Sequence, residues 1–496
     1  MSNLTQSVTP PDQTAAKPAN LGVIWLLLGA AFVVILNETI MGVAIPNLVD
    51  DLGITLGAAQ WLTTAFMLTM AVIIPITGFL LERFTTRQVF TAAMTSFSIG
   101  TLTAAIAPGF EVLLVGRIIQ ATGTAMMMPL LMTTIMTLVP ADSRGRFMGR
   151  ISIVMAAAPA LGPTISGIIL SVASWRFMFW LVLPIALAML ILGNRKIQNI
   201  GEAQTKPIDA LSVILSALGF GGLIFGLSLI GGQGNAAVQM WIALGTGVLG
   251  VAAFVWRQLV LQRSDKALLD LRVFKSRSFT IATLLMVIMM GAMFGTIILL
   301  PIYMQNVLGL TPVVTGMMLL PGGLLMGLMA PVVGRIFDKH GPRPLVIPGG
   351  LIVSAVLWTL TLIDENTAAP LIVAAHVLLS LGLAFMFTPL FTSALGSLKP
   401  SLYSHGSATV GTIQQVAGAA GTSLFVTIMS VRSVELIAGG TPPITAEATG
   451  IQAAFMIGAV ISVLAVVGTF FIRRPAEPTA EPVTAEPDRA EEVAAV

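Results

Sequence analysis

Long apolar runs, broken by short stretches of charge, Gly and Pro, set the pattern of this chain. A helix needs about 20 apolar residues to cross a hydrocarbon core of ~30 Å. Fourteen runs approach or exceed that length, near 21–46, 58–81, 88–107, 111–139, 147–171, 176–193, 209–231, 238–257, 279–307, 313–334, 344–363, 368–396, 405–430 and 451–472. The break around 171–176 is among the narrowest. The pattern predicts an all-α integral membrane protein with fourteen transmembrane helices.

Composition agrees. Of 496 residues, 56% are apolar and only 9% charged, against about 25% charged in a typical soluble domain. Mean hydropathy is +0.94. Such a chain is solvated mostly by lipid, which excludes an ordinary soluble enzyme. There is no Cys, so disulfides, thiolate nucleophiles and Cys-ligated metals are excluded. His340, His376 and His405 are far apart in sequence, so no metal site is expected. No GxxxxGK[ST] run occurs, so a P-loop is absent and no cofactor is expected. The pI is about 9.4, yet the net charge is only +3. The bases sit in a few loops, which reads as membrane topology and not as a nucleic-acid surface. Residues 1–20 are polar with one base, Lys17. The first apolar run exceeds the about 7–15 residues of a signal core, so no cleavable signal is expected.

Charge alternates from loop to loop. The turns 47–57, 231–238 and 307–313 carry no base. The alternate loops hold Arg83 and Arg87, then Arg144, Arg146 and Arg150, then Arg195, Lys196 and Lys206. A crowd from Arg257 to Arg277 follows, then Arg335, Lys339 and Arg343, then Lys399, then Arg473 and Arg474. Only Arg176 and Arg432 fall on the other side. The positive-inside rule places the basic loops and both termini in the cytoplasm of a multi-pass cell-membrane protein.

One loop occurs twice. Gly78, Glu82, Arg83 and Arg87 share their spacing with Gly334, Asp338, Lys339 and Arg343. Both sets follow an apolar span and lie in a basic loop. Two related halves around a central path are a transporter architecture.

These residues carry a resemblance. GFLLERFTTR and its second copy GRIFDKHGPR resemble the loop signature of the major facilitator superfamily. VGRIIQATGTA, with Arg117, Gln120 and Gly123, resembles the fourth-span motif. APALGPTISG, with Gly162, Pro163 and Gly167, resembles the antiporter motif. ILNETIMGVAIP, SWRFMFWLVLP, LLPIYMQNVLGLTPVVTGMMLLP and HGSATVGTIQQVAGAAGTS resemble the fourteen-span drug:proton antiporter branch. The resemblance covers roughly 21–472. It implies the major facilitator fold: a six-helix bundle at 21–193, a linker at 194–278 with two extra spans, and a second bundle at 279–472. A tail at 1–20 precedes them. The acidic tail 473–496 has no apolar periodicity and is expected to be disordered and cytoplasmic. No role for the two extra spans follows from sequence; they read as peripheral.

Glu38 is the one acid deep within a span, and Arg117 the one base. A carboxylate in the bilayer is costly and faces a cavity or a partner. Taking up a proton removes its charge, which makes Glu38 a candidate proton carrier. A structural ion pair and a contact to a cationic substrate are the competing readings. At about 1.5 Å per residue, Glu38 lies roughly 12 Å inward from Pro46, and Arg117 roughly 9–13 Å inward from 108–111. Their coupling is geometrically allowed. The family usually has an acid at the position of Asn37, and one residue turns a helix by about 100°. If Glu38 does not replace that acid, Glu111 and Asp209 are the candidates left.

The paired loops read as a latch between states or as plain topology signals. Glu82 and Asp338 can accept hydrogen bonds from neighbouring helix starts, and Gly78 and Gly334 allow close approach. The resemblance implies that the Gly162–Pro163 helix seals the cavity against proton leak; a simple kink competes with that. Phe66, Gln120, Tyr303, Asn306, Gln414 and Gln415 are weak candidates for lining a substrate cavity. His376 reads as a buried imidazole more readily than as a relay.

The function expected is export of amphipathic, cationic drugs in exchange for protons, by alternating access and driven by the proton gradient. A selective exporter of a metabolite, lipid or amino acid is the alternative. A membrane enzyme would need clustered nucleophiles or ligands, and a receptor a long folded loop. Expected partners are the bilayer, protons and small amphipathic molecules, with no nucleic acid. The oligomeric state stays open, a monomer among the readings.

Overall fold

The computed structural model describes residues 22–199, 208–230 and 235–473, and its helices stand on the apolar runs. The N-terminal tail 1–20 and all but the first residue of the tail 473–496 lie outside the described residues. Six helices come first: α1 (Gly22–Leu52), α2 (Leu56–Arg83), α3 (Thr86–Ala105), α4 (Phe110–Leu138), α5 (Arg144–Val172) and α6 (Arg176–Lys196). Then α7 (Ala210–Ser216) and α8 (Gly222–Ser228) join through a π turn to make one crossing, and α9 (Asn235–Leu261) makes the next. Six more follow: α10 (Arg277–Ile302), α11 (Pro312–His340), α12 (Arg343–Leu360), α13 (Ala369–Gly396), α14 (Tyr403–Ala438) and α15 (Pro443–Thr469).

Local chemistry fixes the starts. Thr55, Thr85, Asp209, Ser276 and Thr311 each precede a helix and accept a backbone N–H of its first turn, as N-caps do. Thirteen helical crossings among the described residues are long and apolar enough to span a bilayer. The run predicted near 88–107 is α3, which is rich in Ser and Thr and falls short on hydropathy. It packs between α4 and α6, so neighbouring helices, more than lipid, cover its polar side chains. The narrow break at 171–176 is real: α5 ends at Val172 and α6 begins at Arg176. There Trp175 and Arg176 both donate to Asp51, at 2.8 and 3.1 Å. These bonds hold the Asp51 carboxyl below its usual range.

Helices in lipid associate through small residues that let backbones approach. A Cβ on Gly123 of α4 would sit 2.3 Å from the Ala93 carbonyl oxygen of α3, and one on Gly421 of α14 2.4 Å from Gly291 of α10. Contacts between α1–α6 and α10–α15 run along α2 with α14, α5 with α11, α4 with α14 and α5 with α13. Their polar ties gather at the basic-loop end. Thr133 bonds Ser407 at 2.8 Å and Ser152 bonds Thr388 at 2.7 Å. Gln415 approaches the Met70 sulfur at mid-depth.

The two extra crossings stand across one of these joints. Ser423 of α14 donates to the Leu227 carbonyl at 2.7 Å, while Phe225 meets Trp61 of α2 at 5.5 Å between ring centres. Phe254, Leu268 and Leu269 share a buried cluster with Ile76 and Phe79 of α2 and Ala408 of α14. Asp209 caps α7 and accepts two bonds from Arg257 of α9, at 2.6 and 2.7 Å. The Arg257 guanidinium, helped by Ser212, holds this carboxyl down at about 2. Asp209 therefore acts as an anchor between α7 and α9.

Candidate functional site

Two places concentrate chemistry: a charged pair at mid-membrane and a cluster of inter-helix contacts at the basic-loop end. At mid-membrane, Arg117 of α4 is buried, 1% exposed. Its Nη1 donates to Gln120 Oε1 at 3.1 Å, Gln120 Nε2 donates to Thr101 at 2.8 Å, and Thr101 donates to the Phe97 carbonyl. The guanidinium lies 4.1 Å from the centre of the Phe66 ring, a cation–π contact. Arg117 Nε has no hydrogen-bond partner.

Glu38 of α1 is half-buried. It and Arg117 feel each other's charge, and among the described residues they make no direct ion pair. Neighbouring Asn37 is 3% exposed, and its Nδ2 lacks a partner. Thus Asn37 turns into the packing and Glu38 is half-buried beside it. A carboxyl near a fixed buried cation can exchange a proton without dismantling its surroundings. Gly162 of α5 packs on the next residue: a Cβ there would lie 2.2 Å from Thr39 Oγ1. Gly167 has open space around it, and Pro163 lies in α5 beside Gly162.

The cavity-lining candidates scatter. Phe66 and Gln120 are buried against Arg117. Gln414 and Gln415, half-buried on α14, reach the Met290 and Met70 sulfurs. Tyr303 donates to the Asp364 carbonyl at 2.6 Å, and Asn306 donates to Glu447 at 2.7 Å. Both lie at the base-poor end, where they tie helix ends together, away from Arg117. The His376 Nδ1 has no partner, and its ring packs against Gly322.

At the basic-loop end the two loop copies make different contacts. Asp338 of α11 accepts the backbone N–H groups of Gly145 and Arg146, at 2.6 and 2.9 Å, and so caps the start of α5. Gly334 makes room, since a Cβ there would lie 2.3 Å from the Gly145 carbonyl oxygen. Glu82 of α2 instead accepts from side chains at the start of α14: His405 Nε2 at 2.9 Å and Ser404 Oγ at 3.5 Å. Sequence reasoning passed over His405, Thr101 and Thr39. His405 stands directly before a run of small positions, Gly406 to Thr409, which gave no signal of a partner so distant in the chain.

The arginines that close each loop copy behave alike. Arg87 donates to Asn194 at the end of α6 at 3.1 Å. Arg343 donates to the Ile472 carbonyl beyond α15 at 3.0 Å. Arg83 lies 5.8 Å from the Phe84 ring centre, and Lys339 is exposed. Beside the Glu82 contacts is a cavity of about 930 Å³, lined in part by Thr134, Asp270, Arg272, Lys275 and Ser404.

Known proteins share this build. The family model described as Major Facilitator Superfamily matches residues 27–422. The lincomycin resistance protein LmrB of Listeria monocytogenes is 41% identical over 458 residues, 91% of this chain and 96% of its own. The uncharacterised MFS-type transporter YcnB of Bacillus subtilis is 41% identical over 463 residues, 93% of this chain and 97% of its own. A multidrug resistance protein B homolog of Mycobacterium tuberculosis is 29% identical, covering 79% of this chain and 73% of its own. Among solved structures, the human organic anion transporter MFSD10 has TM-score 0.66 at 14% identity, covering 90% of this chain and 98% of its own. The proton:xylose symporter XylE has TM-score 0.62 at 15% identity, covering 92% and 96%. At such identities the likeness is one of fold.

Proposed function

This chain belongs to the Major Facilitator Superfamily, and from that membership we propose that it exports amphipathic, cationic drugs in exchange for protons. It is a membrane transporter and not an enzyme. The observation that carries the reading is the half-buried Glu38 within electrostatic reach of buried Arg117. In the proposed cycle a drug enters between the two six-helix halves from the cytoplasm or the inner leaflet. The halves rock and expose it outward. A proton taken up by Glu38 displaces the drug, and the protonated carrier returns and releases the proton inside. The basic loops face the cytoplasm in this reading, so ties at their end correspond to a shut cytoplasmic gate. The relatives named for lincomycin resistance make lincomycin the first substrate to try.

The test is uptake into proteoliposomes under an imposed proton gradient, with ethidium and lincomycin as substrates. Wild type should accumulate them. Glu38→Gln should lose gradient-driven accumulation and keep binding. Accumulation that survives the substitution places the proton elsewhere. Uptake of neither compound, in vesicles of verified orientation, favours a selective exporter instead.

A further inference from the structure

Glu82 and His405 meet across the joint between the halves, with side chains 13% and 4% exposed. The imidazole Nε2 stands 2.9 Å from the carboxylate, so it carries the hydrogen. The other ring nitrogen, Nδ1, is buried with no partner and faces Gly78, where an added Cβ would come within 3.2 Å of it. In the neutral ring Nδ1 holds a free lone pair. A proton added there turns the hydrogen bond into an ion pair with Glu82, set against the cost of a buried Nδ1–H with no acceptor among the described residues. Both side chains line the cavity of about 930 Å³ at the basic-loop end, which gives a proton a way in.

We propose that the Glu82–His405 pair is a proton-binding site at this gate, separate from Glu38, and that a proton bound there holds the gate shut. The proposal rests on the reading that the halves part at this end during transport. The charged groups facing the pair are few. Arg83 on α2 has its own interactions, and Arg87 on α3 is tied to Asn194. Arg144 on α5 donates to the Val139 and Met136 carbonyls, 5.5 Å from the Tyr403 ring centre. Across the cavity, Arg272 is paired with both Asp265 and Asp270, while Lys275 and Lys399 complete the wall. Acid on the basic-loop side then strengthens the latch, and alkali leaves only the hydrogen bond. In an exporter that brings protons in, this brakes the cycle as that side acidifies.

The chain has no Cys, so spin labels at Lys196→Cys and Ser401→Cys report the gate without background. Both positions are exposed, one in each half. In nanodiscs the closed-to-open ratio should rise about fivefold between about pH 8 and about pH 6 in wild type. His405→Gln should flatten that response, and so should Glu82→Gln, which covers the case where one variant fails to fold. Glu38→Gln should keep it, even where gradient-driven uptake is lost. A wild-type gate indifferent to pH, a His405→Gln or Glu82→Gln gate that titrates as wild type, or a response abolished by Glu38→Gln would each overturn the proposal. Loss or survival of uptake in the Glu38 variant tests the antiport reading on its own.

Discussion

The two loop copies occupy matching places and tie the two halves together by different means. Asp338 reads chiefly a backbone: it accepts two N–H groups of α5 at 2.6 and 2.9 Å, with the Arg146 guanidinium 3.8 Å from the same carboxylate. Glu82 reads side chains: it depends on His405 and Ser404. Glu82 is one methylene longer than Asp338, and Gly78 is less tightly packed than Gly334. The nearest atoms to an added Cβ lie at 3.2 Å in the first case and 2.3 Å in the second. A repeat thus gives a rigid latch on one side and an adjustable one on the other, because the side chain reached by the shared carboxylate differs.

Five substitutions sharpen this contrast, each read by the same spin-label pair and by gradient-driven uptake. Gly334→Ala should do most damage. Its methyl meets a backbone carbonyl that cannot step aside, so the closed gate loses about 3 kcal/mol and uptake falls about 100-fold. Asp338→Asn should come next. It removes a charge-assisted cap and weakens closure by about 2 kcal/mol. Gly78→Ala should cost under about 1 kcal/mol, because its nearest neighbours include side-chain atoms of Ala408 and His405. If Gly78→Ala proves as harmful as Gly334→Ala, the rigid–adjustable contrast is broken. Arg87→Gln and Arg343→Gln should matter least and equally, with uptake changed less than about twofold. Each ties its loop only to the last helix of its own half.

Much of this was legible in the chain. Run lengths located the helices, and the loop repeat announced two related sets. Glu38 and Arg117 stood out because charge within a span is rare. What pattern alone could not supply was adjacency. Thr101 and Gln120 belong to different helices, and Glu82 and His405 to different halves, so no local periodicity joins them. Tyr303 and Asn306 illustrate the converse: polar groups in an apolar run looked like cavity lining, yet they tie helix ends through Asp364 and Glu447. Span α3 was found by run length although its Ser and Thr content lowers its hydropathy, and only packing explains how those groups are accommodated. The step from Asn37 to Glu38 was visible as a departure, but which of the two packs inward depends on how α1 is rotated against its neighbours.

The placement of α7, α8 and α9 makes the molecule lopsided toward its solvent. The α2–α14 seam wears a helical cover that grips both flanks, through Trp61 on one and Ser423 on the other. The α5–α11 seam has no such cover among the described helices. A hydrophobic solute wandering in the bilayer therefore meets a clad face and a bare one, and the approximate twofold likeness of the two halves is not shared by the surface they show to lipid.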